Sequence, residues 1–360
     1  MLPIRTPRLF ALVAVAFAAA LGSVPRGAVG AEPFILGPPL QDAPTRVSVG
    51  FFLSEVSEVD EQAETFEFEG ILTLKWRDAR LAFDPAEAGL PEKIYQGNYQ
   101  FAEVFTGWWP QLILSNESGE FGSQGVLVRI QPDGALTLIQ EINAVAEMPM
   151  ELRRFPFDRQ DFEAIFEVLG LGRNLVVLEP DPETTGVREG GVNTPQWDLR
   201  DLRIGTHEYE PTYEDGHEGT LSRLVVTLDM ARRPGHMVRV VVLPLTLIVL
   251  LTFSVFWMDR ESLGDRMDIS FIGLLTLVAY QIIVSDSMPQ IAYFTLLSGF
   301  IYSTFVLLVA GVIVNLVVSK LDQAGRAKAG ARVDVTCRWA FPLVFLGGNA
   351  LSALYFLSFH

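Results

Sequence analysis

The chain has 360 residues, of which 49% are hydrophobic and 19% are charged, and its net charge at pH 7 is −16. An acidic balance of this size argues against a nucleic-acid partner. The single cysteine, Cys337, excludes a disulfide within the chain, so the folded parts must be stabilised by a sizeable apolar core. The chain contains no HExxH, P-loop or GxSxG motif, and the sequence therefore predicts neither an enzyme nor a cofactor.

The N-terminus has the pattern of a secretory signal peptide. Arg5 and Arg8 precede the short apolar run Leu9–Leu21, and small residues follow as far as Ala31. This pattern predicts a signal peptide over 1–31 and places the next segment outside the cytoplasm.

Residues 32–236 are predicted to form an acidic all-β domain. They contain 36 of the 43 acidic residues and 16 of the 27 basic ones, a balance that suits concentrating cations near a pore mouth but equally suits plain solubility. Roughly ten short strands in a domain of this length favour a β-sandwich. The clearest alternating runs are Thr45–Val56, Thr65–Trp76, Gln111–Ser115, Gly125–Gln131, Ala135–Glu141, Asp161–Leu169, Trp197–Glu208 and Thr220–Met230.

Residues 237–360 are predicted to form an all-α membrane domain of four helices. The spans are expected at about 237–258, 266–287, 291–319 and 337–359. Pro244 removes a backbone hydrogen bond from the first span, a loss that local kinking or other helices must absorb. The loop Lys320–Arg338 is rich in Lys and Arg and should be cytoplasmic, so both ends of the mature chain should be outside.

The second span is the most polar of the four, and its polar residues are regularly placed. One stripe of the helix carries residues at steps of four and three, with a carboxylate at each end and an apolar middle: Asp268, Ile272, Leu275, Ala279, Ile282 and Asp286. Carboxylates in lipid are costly, so this face should meet water. Around a symmetry axis the stripe would form a cation pore with a hydrophobic constriction, which requires a homo-oligomer. The alternative is a helix buried in a compact bundle, with these Asp residues only at its ends.

Several motifs, in order around the four spans, resemble the pentameric ligand-gated ion channels, the Cys-loop receptor superfamily, in its bacterial branch. They are Trp76-Arg77-Asp78-Ala79-Arg80-Leu81, Trp109-Pro110 with Asn116, Phe155-Pro156-Phe157-Asp158, Arg232 with Pro234, Pro244 and Pro289. Met148 and Phe162 stand about where the two name-giving cysteines would be, and bacterial members resemble this chain in lacking them.

The resemblance implies roles for the second span. Gly264-Asp265-Arg266 resembles the triplet at the inner mouth of cation-selective members, and Leu275 matches the hydrophobic gate. Five copies of Asp268 would form a ring that binds cations, divalent ions included, and that titrates as a unit. The carboxylates Asp265, Asp268 and Asp286 could instead be solvated helix-end groups, and Leu275 could be plain packing.

The resemblance also implies a coupling site and an agonist site. Phe155, Pro156, Phe157 and Asp158, together with Arg232 and Pro289, would carry motion from the β-domain to the pore. In the family, the agonist site is an aromatic cage between subunits that holds an amine by cation–π attraction. Here the cage is depleted: Leu169 and Leu221 hold two of its positions, Tyr209 and Tyr213 supply aromatics, and Glu167 either meets an ammonium or is simply solvated.

The sequence and the resemblance together predict a homopentameric, ligand- or pH-gated cation channel in a bacterial inner membrane, in contact with membrane lipids. Its permeant ions would be sodium and potassium, with calcium either permeating or blocking. Two alternatives stay open. One is an anion-selective member of the same family, and the other is a membrane-anchored periplasmic sensor or binding protein that conducts nothing.

Overall fold

The computed structural model describes residues 35–39, 43–190, 194–210, 219–286 and 291–359. The predicted signal peptide, Tyr213 and Pro289 lie outside the described residues, as does the side chain of Asp286.

The N-terminal domain consists of two packed β-sheets, which confirms the predicted sandwich. A seven-stranded sheet has the order β3-β5-β6-β2-β1-β8 with β9 paired to β1, and a four-stranded sheet has the order β10-β11-β7-β4. The strands are β1 Thr45–Asp60, β2 Thr65–Arg77, β3 Lys93–Gln96, β4 Leu112–Leu114, β5 Gly122–Ile130, β6 Ala135–Glu147, β7 Arg159–Val168, β8 Val176–Pro180, β9 Gly186–Val187, β10 Trp197–Tyr209 and β11 Leu221–Arg232. Short helical turns occur at Ala79–Leu81, Pro85–Ala88, Gly97–Tyr99, Gln100–Val104 and Pro182–Thr184.

The alternation of side chains explains the sandwich. Strand β2 buries every second residue from Phe66 to Trp76, since successive side chains of a strand point to opposite faces. The two sheets meet through aromatic rings: the centroids of Phe66 and Phe162 are 5.1 Å apart, and those of Phe51 and Phe166 are 6.1 Å apart. The core of this domain therefore lies between the sheets.

Three strands were absent from the sequence prediction, namely β3, β8 and β9. All three have five residues or fewer. Strands β8 and β9 pair in parallel with β1, a partner more than 100 residues away in sequence. Such pairings involve no hairpin turn, so no local signal marks them.

One ion pair fixes the connection between β8 and β9 to the middle of the seven-stranded sheet. The Lys75 ammonium donates to the Asp181 carboxylate across 2.6 Å, and Asp181 also accepts from the Glu183 amide and the Thr184 hydroxyl. The hydrogen bond from Lys75 is the main cause that lowers the pKa of Asp181 below its ordinary value of 3.8. Gly50 permits this approach, because a Cβ at that position would lie 2.0 Å from the Thr184 hydroxyl oxygen.

The membrane domain has four helices that are long and apolar enough to cross a membrane. They are α1 Gly235–Trp257, α2 Leu263–Asp286, α3 Leu296–Gln323 and α4 Ala327–Phe359. In α1, Val238–Val242 forms a π-helical turn just before Pro244, so a local change of helix geometry accommodates the proline.

The helix bounds differ most from the sequence prediction at the start of α3 and in the connection between α3 and α4. Helix α3 begins at Leu296 and not at Ile291, because Thr295 and Ser298 form a capping box that sets the start of the helix. The predicted loop Lys320–Arg338 is mostly helical, and only residues 324–326 connect α3 to α4, with Gly325 at a φ of +73°. The prediction placed the loop where the apolar run ends. Charged residues end an apolar run, but they can continue a helix, so the loop was predicted too long.

We predict that Asp181→Asn lowers the melting temperature of the detergent-solubilised protein at pH 7, by the equivalent of about 0.5–1 kcal/mol for a partly exposed pair. A carboxyl with a lowered folded-state pKa stabilises the fold above its unfolded pKa, and this contribution is lost as pH falls through the folded value. The difference between wild type and variant should therefore shrink below pH 3.8. Asp133→Asn, in the exposed pair with Arg77, is the control and should change little. A difference that persists at low pH would contradict the assignment.

Candidate functional site

Helix α2 presents two distinct faces within one subunit. Its buried face carries Arg266, Ser270, Gly273 and Leu277 at steps of four, three and four. A Cβ on Gly273 would lie 2.4 Å from the Thr252 hydroxyl oxygen, so α1 and α2 approach each other closely at this glycine. The packing against the rest of the subunit thus fixes which side of α2 faces inward.

The predicted stripe lies on the opposite, open side of α2. Ile272 is 64% exposed and Leu275 is 72% exposed. The stripe residues Asp268, Ala279 and Ile282 are exposed too, and so is Asp265 beside the stripe. The exposed surface of α2 is broader than the stripe, since Phe271, Val278 and Ile283 also lie on it. The packing of the described residues therefore leaves a broad face of α2 exposed.

Within the described residues, neither Asp265 nor Asp268 has an ion-pair partner. The basic member of the Gly264-Asp265-Arg266 triplet behaves differently. Arg266 is 1% exposed and points into the subunit, where its Nη2 donates to Asp334. The open face at the start of α2 thus carries acidic side chains, and the cation of the triplet is buried.

The structure brings the predicted coupling residues Asp158 and Arg232 together. The Arg232 Nε and Nη2 atoms donate to the two Asp158 carboxylate oxygens at 2.7 and 3.2 Å, and both side chains are 2% exposed. Nη1 of the same guanidinium donates to Glu61, a residue that the sequence analysis did not identify. The guanidinium carbon lies 4.2 Å from the Trp197 ring centroid and 4.7 Å from that of Phe155. One cation therefore binds two carboxylates and two aromatic rings.

Gln160 extends this cluster to the loop Met150–Asp158. Its amide nitrogen donates to Asp158 at 2.8 Å and to the Glu151 carbonyl at 2.8 Å, and its amide oxygen accepts from the Glu151 amide at 3.1 Å. Phe155 and Pro156 are buried, whereas Phe157 is 42% exposed. The loop is thus held rigidly at its base and presents Phe157 at its surface.

Tyr293 joins this loop to the membrane domain. Its hydroxyl accepts from the Leu152 amide at 3.0 Å and donates to the Met150 carbonyl at 3.2 Å. The Leu296 amide donates to the Arg153 carbonyl at 2.9 Å, and the Arg153 guanidinium lies 5.1 Å from the Tyr293 ring centroid. The sequence analysis missed Tyr293. The available signal was an aromatic side chain with a polar tip near the start of the predicted third span, a position at interface depth.

The predicted agonist residues are only partly brought together. Glu167 is 6% exposed and accepts from Arg223 Nε at 2.8 Å, so its carboxylate is buried and paired and not solvated. The Arg223 guanidinium lies 3.2 Å from the Tyr209 ring centroid and also donates to the Ser115 hydroxyl. Leu221 is 5% exposed and Leu169 is 50% exposed. An internal cation therefore occupies the face of Tyr209.

Two family models match the chain. The neurotransmitter-gated ion-channel ligand binding domain matches residues 36–234, and the neurotransmitter-gated ion-channel transmembrane region matches residues 241–329. The first match alone spans more than half of the chain, so the chain belongs to the neurotransmitter-gated ion-channel family. Its members are pentameric channels that ligands or protons open, and they are not enzymes.

The relatives span bacteria and animals. A proton-gated ion channel of Gloeobacter violaceus is 27% identical over 322 residues, which cover 89% of this chain and 86% of that protein. The acetylcholine receptor subunit beta of Xenopus laevis is 27% identical, and the gamma-aminobutyric acid receptor subunit alpha-2 of Rattus norvegicus is 25% identical. Those alignments cover 77% and 83% of this chain but only 56% and 65% of the two receptor subunits. The predicted resemblance to bacterial pentameric channels is confirmed.

We predict that Arg232→Gln severely reduces the yield and melting temperature of the folded protein, because Asp158 is left buried without its cation. Breaking a buried pair in this way costs about 3–5 kcal/mol. The neighbouring Arg233 provides the matched control, since its pair with Asp198 is largely exposed. Arg233→Gln should keep the wild-type yield and melting temperature in fluorescence-detected size-exclusion chromatography and thermal unfolding. Equal effects of the two substitutions would contradict the account of the cluster.

Proposed function

We propose that the chain forms a homopentameric, cation-selective channel in a bacterial inner membrane, with α2 lining the pore. The observation that carries this proposal is the exposed face of α2, where Asp265 and Asp268 lie without ion-pair partners among the described residues. A carboxylate in lipid is costly, which favours an aqueous setting for that face. Five subunits around an axis would enclose a water-filled pore, and this face of α2 would line it.

The same face accounts for both selectivity and gating. Rings of Asp268 and Asp265 at the inner end would concentrate cations such as sodium, potassium and calcium, and Asp268 could hold a divalent ion. Ile272, Leu275, Ala279 and Ile282 would form a hydrophobic section that closes by dewetting, with Leu275 at its centre. Asp286 would add an acidic ring at the outer mouth.

The proposed orientation follows from charge. The segment from Lys320 to Arg338 has five basic residues against two acidic ones, Asp322 and Asp334, which favours the cytoplasm. The β-sandwich and both chain ends would then be periplasmic, after removal of the signal peptide 1–31. In this arrangement the Arg232 cluster and Tyr293 lie at the periplasmic surface of the inner membrane.

Coupling would run through that junction. A stimulus that shifts the β-sandwich moves the Met150–Asp158 loop, which the Arg232 cluster holds to β11. The loop in turn is hydrogen-bonded to Tyr293 and Leu296, at the start of α3. Pro289 would belong to the same junction. The stimulus thus biases a closed–open equilibrium of α2 through contacts that link both domains.

Protons are better supported than an amine as the stimulus. The cation–π position on Tyr209 is occupied by Arg223, whose charge Glu167 neutralises, so an amine would have to displace an internal cation. A relative that aligns with 89% of this chain is named a proton-gated ion channel. An anion-selective channel and a non-conducting sensor are the alternatives, and the exposed carboxylates of α2 count against both.

We predict that wild-type current in a sodium chloride gradient reverses near the sodium equilibrium potential. Asp268→Asn should lower single-channel conductance and cation selectivity, roughly tenfold in permeability ratio, because a ring of like charge raises local counter-ion concentration by at least that factor. Glu261→Gln, at an exposed acid in the α1–α2 connection, is the control and should resemble wild type. Reversal at the chloride potential in wild type would contradict the proposal.

We predict that Tyr293→Phe shifts the activation curve toward a stronger stimulus, roughly tenfold, because two hydrogen bonds of about 1 kcal/mol each across the junction are lost. The reversal potential should not change, since Tyr293 is not a member of the stripe and the substitution changes no charge. Tyr302→Phe serves as the control, because the Tyr302 ring packs beside Phe294 within the membrane domain and, among the residues that the structure describes, its hydroxyl makes no hydrogen bond to the β-domain. Unchanged activation in Tyr293→Phe, with normal expression, would remove Tyr293 from the coupling route.

A further inference from the structure

The inner end of the membrane domain contains a buried group of charges that the pore stripe does not include. Arg266 of α2 and Asp334 of α4 form an ion pair, with side chains 1% and 5% exposed. Arg338, one turn further along α4, lies 3.7 Å from the same carboxylate and is 29% exposed. We call these three residues the inner charge cluster.

The cluster also binds the end of α1. Arg266 Nε donates to the Val255 carbonyl at 2.8 Å, and Arg338 Nε and Nη2 donate to the Phe256 carbonyl at 3.1 and 2.9 Å. These carbonyls belong to the last turn of α1, where the Val255 carbonyl also accepts from the Met258 amide at 3.2 Å. Basic side chains are favoured at such helix ends. The inner charge cluster therefore joins the end of α1, the start of α2 and the start of α4.

The position of Arg266 on α2 gives this arrangement a consequence for the pore. Residues two apart on a helix point to opposite sides, so Arg266 points away from Asp268. A guanidinium that stays buried adds no charge to the inner mouth. A guanidinium released from its partner must reach water, because a buried unpaired charge is costly. The exposed side chains at this end of α2 are those of Asp265 and Asp268, so the route to solvent along α2 leads to their face.

We infer that Asp334 is a positioning residue for ion selectivity: it holds Arg266 inside the subunit, so that the inner mouth presents carboxylates alone. This inference rests on the proposed cation channel. It assigns to α4, which does not line the pore, a direct part in setting the charge of the pore mouth.

The test compares reversal potentials of wild type and Asp334→Asn in a sodium chloride gradient. The cation-to-anion permeability ratio should fall at least about threefold, the effect of one unit charge some 6 Å from the ion path in water. The double variant Arg266→Gln/Asp334→Asn removes the released cation. Its ratio should return to within about twofold of wild type, since two changes in one ion pair are not additive.

A second Arg–Asp pair at the same end of the domain provides the matched control. Arg260 and Asp322 are 3.0 Å apart, but their side chains are 32% and 28% exposed and already reach water. Asp322→Asn should therefore leave the permeability ratio at its wild-type value. If Asp322→Asn lowers the permeability ratio as much as Asp334→Asn does, the inference is overturned. Removal of any carboxylate at this end of the domain would then be enough to lower the ratio.

The outcomes separate the inference from the proposed function. Anion selectivity in wild type defeats the proposed function, whereas an unchanged ratio in an assembled Asp334→Asn channel defeats only the inference. If Asp334→Asn does not assemble, size-exclusion chromatography of the double variant decides. If the double variant assembles as a pentamer, the essential partner of Asp334 is Arg266. If the double variant fails to assemble as well, the essential partner is Arg338, and the inference is overturned.

Discussion

A charged side chain in a membrane domain must be paired or must reach water, because an isolated charge in hydrocarbon is costly. This constraint divides the charged side chains of α2 into a buried, paired one and two exposed ones. Arg266 is buried and paired with Asp334, whereas Asp265 and Asp268 are exposed and have no ion-pair partner among the described residues. The unpaired carboxylates thus identify the face that needs water. The proposed pore follows from that need, and pentameric assembly is the arrangement by which this family meets it.

The same constraint acts at the junction of the two domains. Arg232 is as buried as Arg266, and its charge is matched by Asp158 and Glu61 and covered by aromatic rings. Such a cluster is costly to open, so it holds the Met150–Asp158 loop in one position relative to β11. The contact of the Tyr293 hydroxyl with this loop is easier to break, because it consists of two hydrogen bonds. We therefore infer that the Arg232 cluster is the rigid part of the junction and that the contact of Tyr293 is the part that can change.

The sequence was sufficient for features that local patterns encode. The alternation in β2, the stripe on α2 and the four apolar spans are all periodic within one element. It was insufficient for contacts between distant residues: Glu61 lies 171 positions from Arg232, and Tyr293 lies 141 positions from Leu152. The pairing of Glu167 was missed for a related reason. The sequence analysis treated Glu167 alone, whereas the structure places Arg223 on the adjacent strand, where it neutralises that carboxylate.

The most direct test of the pore is the accessibility of single cysteines on α2 to a charged, water-soluble thiol reagent during current recording, in a Cys337→Ser background. Ala279→Cys and Ile282→Cys lie on the stripe, and Leu277→Cys lies on the buried face, where Leu277 is 0% exposed. The account predicts that the reagent changes the current of open channels at the two stripe positions and leaves Leu277→Cys unaffected. Modification at Leu277→Cys but at neither stripe position would contradict it.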